Sequence, residues 1–456
     1  MRKFRIEQSR TETYTPTAGL ALVGHCVNRH TSLAKTARSI PKRHGIPNID
    51  LFRTYLGLLC VGKSDFEAAE AMRFDPFFKH GLGIKQSPSA PRLRQRFDED
   101  AEAIIPLIDA AGVEFVASVQ APITALSTGH VALDMDVFPQ DNSRTKKEAV
   151  SYTYKGYDGY APIAAYLGNE GWCLSCELRP GSQHAQKEFG YTLERVLPRV
   201  RQLTSAPVLV RLDGAHDAAI NRRQLAAADN VDYLIKWNPR REDPEPWLAE
   251  ATARGAWEQV RDGKRQALFS VDRADEYDGE SQPWRLVVQL IERTIDRNGQ
   301  LLLTPEIELE GWTTSLPEAD YDNATILKLY RGHALCEQFH SEFKTDLDLE
   351  RLPSCRFDTN DLVMAFAVLA YNILRWMGLR GLMGEHAPIR HPAKRRRLRT
   401  VMQELIYLAA RVVRSARQLT LRFSQHCPPN FDSSRPDFAL TPRSHAGLRA
   451  DCGNVV

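Results

Sequence analysis

Apolar positions along the chain change period twice. Up to about residue 128 they recur at helical spacing. Leu51–Cys60 and Asp65–Arg73 read as short amphipathic helices, joined by Val61-Gly62-Lys63-Ser64, whose serine can cap the second. A third helix starts near Ser89, carries Arg92, Arg94 and Arg96, and reaches about Ile105, where Pro106 should interrupt it. From about residue 129 the pattern alternates. Val131–Val137, Tyr160–Leu167 and Trp172–Leu178 read as strands separated by glycine-containing turns. A helix over Ala185–Leu203 follows, expected to kink or break at Pro198, then strand Val208–Leu212, helix Ala215–Ala227 and strand Asp232–Trp237. Beyond Pro246 come strands Gln266–Val271, Trp284–Ile291 and Leu301–Leu309. A long helix from Tyr321 to about Leu347, an apolar helix Leu362–Leu379, a basic helix Thr400–Phe423 and a Pro- and Ser-rich tail from Cys427 complete the pattern.

Three strands in meander followed by helix–strand–helix–strand is an α/β order with a mixed sheet, and it matches the order of an RNase H-like fold. The 456 residues, 26% charged and 43% hydrophobic, have an ordinary globular composition and are enough for two to four domains. Collagen, coiled-coil, disordered and disulfide-scaffold readings are excluded, the eight cysteines being sparse and irregularly spaced. The N-terminus has no apolar core of the kind a secretory signal needs. The longest apolar run, Leu362 to Leu374, is interrupted by Asn372 and falls short of the ~20 residues of a membrane span. A reducing cytosol, with no membrane partner, is the expected setting.

Charge changes the picture. Residues 1–48 carry a net +7 and residues 389–424 a net +9, which leaves −13 for the rest of a chain whose total is +3. Two basic ends around an acidic body suggest a polyanion held at the ends, against the alternative that Lys394–Arg399 is a solvated helix start. Three short helices with arginines on the last resemble a helix-turn-helix DNA reader, or equally a small helical subdomain with exposed arginines.

The acids are the candidate chemistry. Asp134 and Asp136 lie two residues apart in a strand, hence on one face, where aspartate is disfavoured unless a cation compensates it. Asp213 follows strand Val208–Leu212 and would sit where the carboxyl ends of strands form a crevice, unless it only makes a turn or caps the next helix. Tyr330, His333, Glu337 and Lys344 fall within about 60° of arc on a helix. Such a stripe suits a metal-bound phosphate, or is an ordinary exposed face.

At these residues the chain resembles insertion-sequence transposases of the DDE class, specifically transposase DDE domain group 1. Leu133-Asp134-Met135-Asp136 is similar to that group's first motif and Arg211-Leu212-Asp213 to its second. Tyr330, Glu337 and Lys344 fit a Tyr-x2-Arg-x3-Glu-x6-Lys helix, with His333 in the arginine's place and Arg331 as an alternative phosphate contact. Gly159-Tyr160-Ala161-Pro162, Arg179-Pro180-Gly181 and Phe74-Asp75-Pro76 also resemble segments of the group, the likeness covering about residues 50–425. The resemblance implies an RNase H-like core with a β-rich insertion, preceded by a helical DNA-binding domain and followed by C-terminal helices. The expected divisions are a basic segment 1–50, helical domain 51–128, core 129–249, insertion 250–318, core with the Glu337 helix 319–385, and basic helical region with tail 386–456.

It further implies that Asp136 (with Asp134 as second choice), Asp213 and Glu337 hold two Mg²⁺, for which Mn²⁺ can substitute, and that the site cleaves DNA at element ends and joins the 3′-OH to target. Tyr330, Arg331, His333 and Lys344 would contact phosphate, as would Arg92, Arg94 and Arg96. Trp312 is the candidate for stacking on an extruded base, against core packing. The partners would be double-stranded terminal repeats and target DNA, with a homodimer synapsing two ends on a bacterial nucleoid and no small-molecule substrate. An RNase H-like nuclease without strand transfer and a silent DNA-binding derivative are the competing readings. Cys173-x2-Cys176 has no second ligand pair at zinc-site spacing and reads as structural.

Overall fold

The computed structural model describes residues 5–41, 45–240, 242–277, 279–296, 298–383, 395–416 and 418–427. The chain forms two compact units, one of Met1–Ala121, Thr145–Glu148 and Ser341–Val456, the other of Pro122–Arg144 and Ala149–His340.

The second unit is built on one mixed sheet of nine strands. In chain order they are β1 Val131–Val137, β2 Ile163–Leu167, β3 Trp172–Glu177, β4 Val208–Leu212, β5 Val231–Lys236, β6 Trp257–Arg261, β7 Lys264–Tyr277, β8 Glu280–Ile295 and β9 Leu301–Thr314. Their order across the sheet is β6-β7-β8-β9-β5-β4-β1-β2-β3. β1, β4 and β5 are parallel neighbours, and the remaining pairs are antiparallel. The chain leaves β1 to one side through β2 and β3, then returns on the other through β4 and β5. That reversal opens a crevice at the carboxyl ends of β1 and β4, where ligands of such sheets bind.

The strands after Pro246 are longer than their alternation predicts, and they join the same sheet. Trp312 of β9 pairs with Lys236 of β5, so β6–β9 extend the sheet from its β5 side. Leu209, Leu234, Val287 and Trp312 meet Ile326, Leu327 and Leu329 of helix Asn323–Arg331, which covers that face. The segment expected as one long helix from Tyr321 consists of Asn323–Arg331, a 3₁₀ turn at Gly332–Ala334, helix Leu335–Ser341 and a π turn Glu342–Asp346.

The first unit is mainly helical. Helix Phe357–Gly381 packs on Ala90–Ser118 and Asn48–Cys60, with Phe52, Tyr55, Phe66, Phe97 and Phe366 in mutual ring contact. By length and composition Phe357–Gly381 could cross a membrane, but 94% of its apolar window is buried within the protein. It is a core helix.

Several expectations are corrected. Ala90–Ser118 continues through Pro106, and Phe189–Leu203 continues through Pro198. Both prolines are exposed, so the carbonyl each deprives of an N–H donor lies toward water, and packing of the opposite face holds the helix. The N-terminal basic segment contains helix Leu20–His30, with Leu20, Leu22, Val23 and Val27 buried. Thr400–Phe423 is not a helix. After Leu398–Val401 and one π turn, Ala410–Ser415 and Gln418–Phe423 form an antiparallel hairpin, and its first strand pairs with Thr13–Thr15. Arg397 of the basic run is committed to Asp346 at 2.8 Å. Lys394 and the tail from Pro428 lie outside the described residues.

Candidate active site

β1 presents Asp134 and Asp136 on one face, and the parallel register sets Asp134 beside Arg211 of β4. Arg211 donates from Nε and Nη2 to the two oxygens of Asp134, both at 2.6 Å, and from Nη1 to the Leu329 carbonyl at 2.7 Å. His333 Nδ1 lies 3.0 Å from Asp134 Oδ1. Gly332 makes this approach possible, because a Cβ there would stand 2.3 Å from Arg211 Nη1. Burial opposes ionisation of Asp134, but the guanidinium and imidazole outweigh it and hold the carboxyl below its usual range. Asp134 is thus the joint between two strands and the helical segment that carries Glu337.

Continuing the register by two residues places Asp136 beside Asp213, which follows the last residue of β4 and opens the one-turn segment Gly214–His216. Asp136 Oδ1 accepts from the Val137 N–H at 2.7 Å, and Oδ2 lies 3.8 Å from Nδ1 of His340, a buried ring stacked on Phe138 at 4.5 Å. Burial, then the Asp213 charge, push the Asp136 carboxyl up to about 7, with Glu337 adding in the same direction. Asp213 goes the other way. Burial would raise it, but His216 Nδ1 at 2.6 Å from Oδ1 stabilises the carboxylate and holds it below its usual range.

Glu337 lies one turn beyond His333, exposed, with no hydrogen bond or ion pair among the described residues. Its charge reaches both Asp136 and the Tyr154 hydroxyl. Tyr154, whose hydroxyl is 3.4 Å from the Val137 carbonyl, is raised by burial and then by Asp136, Asp213 and Glu337 together. Tyr330 is likewise raised, by burial and by Asp213, Asp136 and Asp134. Asp136 and Asp213 thus sit side by side at the carboxyl ends of β1 and β4, with Glu337 near enough for its charge to act on the Asp136 carboxyl. That is the donor set a hard divalent cation takes.

A second set, Asp134, His333 and Cys336, brings ligand atoms within 4.8 Å of one another. Both Asp134 oxygens already accept from Arg211, so a cation there would face a guanidinium. This set fits structure better than metal.

The other residues singled out by sequence take varied positions. His333 is buried and spent on Asp134, while Arg331 is exposed. Trp312 is 5% exposed, with Lys236 Nζ 4.3 Å above its ring, so its face is not open to a base. Lys344 belongs to the other compact unit, where it pairs with Glu350 at 3.0 Å. Arg92 is exposed beside Gln95, and Arg94 pairs with Glu67 at 3.1 Å. Arg96, expected on a DNA-facing surface, is instead 3% exposed, bonded to Asn48 and to Asp100.

His216, His340, Tyr154 and Lys236 escaped the sequence reading, and Arg211 entered it only within the Arg211-Leu212-Asp213 motif, without a role. Only Arg211 had a signal, since an arginine two residues before Asp213 on a buried strand needs an anion. Asp134 is that anion.

No curated protein matches the chain. Among solved structures it is similar to a piggyBac transposase synaptic complex with hairpin DNA, at 10% identity and a TM-score of 0.35, over 79% of this chain and 74% of that one. Residues 16–431 match the family described as transposase DDE domain group 1. The match spans both compact units and includes every acid described above, so the chain belongs to the transposase DDE domain group 1 family.

Proposed function

We propose that this protein is a DNA transposase that binds the terminal inverted repeats of an insertion sequence, cleaves at the element ends and joins the 3′-OH to target DNA. The observation that carries the reading is the strand register that sets Asp136 beside Asp213 at the carboxyl ends of β1 and β4, where burial, then Asp213 and Glu337, raise the Asp136 carboxyl to about 7. The β1–β5 order and the helix returning with Glu337 support an RNase H-like core. The three carboxylates suit two Mg²⁺, or Mn²⁺ in their place. Such ions, when bound, activate the attacking oxygen and offset charge on the leaving one.

The protein's own groups prepare that site. His216 fixes Asp213 through Oδ1. Arg211 and His333 lock Asp134 and so hold the β1–β4 edge against the helix. Tyr154 and Tyr330, both kept as neutral phenols by burial and by the acids, are hydrogen-bond donors for phosphate oxygens. Arg331 is an exposed cation next to Tyr330 at the end of helix Asn323–Arg331, and Lys344 remains assigned to phosphate by the family pattern alone.

Duplex binding falls to cations away from the acids. Arg73, Lys79, His80 and Lys85 line an open depression with Phe74, which is 83% exposed, whereas the depression beside Arg94 also holds Asp98 and Glu99. The first surface suits a phosphate backbone better. Two protomers synapse two element ends on a bacterial nucleoid.

The test is a strand-transfer assay with element-end duplexes, target plasmid and Mg²⁺. Metal-dependent 3′-OH release followed by joining is expected, with Asp213→Ala and Glu337→Ala binding DNA but not cutting it. Cutting without joining would make the protein a nuclease. Cutting at wild-type rate by either variant would overturn the site.

A further inference from the structure

The row of side chains containing Asp136 and Asp213 has further members. β4 and β5 run parallel with Arg211 beside Leu234 and Leu212 beside Ile235, so the next position sets Asp213 beside Lys236. The same face carries all three, because each lies two residues beyond an inward neighbour of the preceding row: Asp134, Arg211 and Leu234. A Cβ on Gly214 would lie 3.5 Å from the Lys236 carbonyl and 3.8 Å from its Cγ, which confirms the closeness of the two segments. Across β9, Trp312 is the cross-strand partner of Lys236.

Lys236 is poised rather than buried. Its Nζ lies over Trp312, 4.3 Å from the ring centroid, and donates to Glu310 at 2.6 Å. The Lys236 and Glu310 side chains remain 25% and 35% exposed. An ammonium resting on an aromatic face keeps its direction without losing access to solvent, so little ordering is left to be done when an anion arrives. Two strand spacings, about 10 Å, separate its backbone from that of Asp136. DNA entering the acidic region brings a charge with every nucleotide, and Lys236 is the cation the sheet itself supplies on this face beside Asp213.

We propose that Lys236 is a DNA-contacting residue that takes a phosphate flanking the reacting one, exchanging Glu310 for the DNA backbone. The inference rests on the reading of Asp136, Asp213 and Glu337 as the DNA-cutting site. It assigns Trp312 a different part from base stacking: the indole is the platform that aims Lys236. Glu310 is the internal counter-ion that occupies the ammonium when no DNA is present.

The experiment uses the full chain, a short fluorescein-labelled DNA duplex of arbitrary sequence, and Ca²⁺ to occupy the acids without cutting. Affinity is measured over a range of salt for wild type, Lys236→Gln, Lys236→Arg and Glu310→Gln, beside nicking by wild type in Mg²⁺ of a plasmid carrying the element ends. Lys236→Gln should weaken binding roughly three- to tenfold and lower the slope of log affinity against log salt by about 1, one phosphate contact being lost. Lys236→Arg should restore the slope, and Glu310→Gln should tighten binding by a similar factor. A wild-type slope in Lys236→Gln overturns the inference while leaving the cutting site in place. If that variant does not fold, Glu310→Gln decides, and unchanged affinity there overturns it. Wild type that does not nick DNA with Mg²⁺ overturns the underlying reading and this inference with it.

Discussion

Arg211 meets Asp134 across two parallel strands with one 2.6 Å hydrogen bond to each carboxylate oxygen, both side chains being almost wholly buried. Asp136, two residues along the same strand face, has the opposite surroundings: another aspartate beside it and no arginine. One carboxylate is kept ionised by its cationic partners and holds the fold, while the other has no such partner and keeps its proton up to about 7.

Removing the first should therefore cost stability. Asp134→Ala leaves a buried guanidinium without its partner, a loss of about 3–5 kcal/mol. Asp136→Asn should leave the fold intact while abolishing DNA cleavage. Thermal denaturation of the two variants separates the roles, and an Asp134→Ala protein as stable as wild type would remove Asp134 from the structural set.

The Asp136 carboxyl makes stability depend on pH in a stated direction. It ionises near 7 in the folded protein and near 3.8 as an ordinary carboxyl. Between those values the folded state holds the extra proton, so its contribution to stability is full below about pH 4 and declines as pH rises to 7. Asp136→Asn should flatten this decline and raise Tm above wild type at pH 8, by at least ~2 °C. Bound Mg²⁺ must displace the same proton. The Tm gain on adding Mg²⁺ should be larger at pH 8 than at pH 6 in wild type, and absent from an Asp136→Asn, Asp213→Asn double variant.

His216 acts on Asp213 from outside the cation region. His216→Ala frees the carboxylate to rotate, and the Mg²⁺ concentration giving half-maximal cleavage should rise about 10–100-fold. An unchanged Mg²⁺ dependence would mean that Asp213 holds its orientation without the imidazole.

The Phe74 surface and the Arg96 position make opposite predictions about DNA. Lys79→Glu with Lys85→Glu should weaken duplex binding without regard to sequence and lower the salt slope by about 2. Arg96→Ala should instead reduce thermal stability, since its guanidinium is bonded to Asn48 and Asp100 in the helical unit. Filter binding and melting curves on the same preparations distinguish the two.

Much of this was legible before any coordinates. The strands Val131–Val137 and Val208–Leu212, the helical turns around Tyr330 and Glu337, and the order of strands and helices follow from short-range patterns of apolar residues. The hairpin at Ala410–Phe423 was misread because Arg411-Val-Val-Arg414 and Leu419-Thr-Leu-Arg422 are compatible with either period. Its strand pairing with Thr13–Thr15 comes from the far end of the chain. Pro106 and Pro198 were read as breaks because the exposure of each proline is invisible in a linear pattern.

The amino-acid order by itself determined that Asp134 and Asp136 share a strand face and that Tyr330 and Glu337 lie on helical turns, though the structure divides them between helices Asn323–Arg331 and Leu335–Ser341 with His333 in the 3₁₀ turn between. Only the tertiary structure decided which aspartate is spent on an arginine and which is left without a cationic partner. That choice depends on what stands in the neighbouring strand: Arg211 beside Asp134, Asp213 beside Asp136. Charge compensation acts over a few ångströms in space, and β1 and β4 are joined by the seventy residues 138–207, which say nothing about register. The same holds for Lys236, ordinary in its strand and distinctive only beside Asp213 and on Trp312.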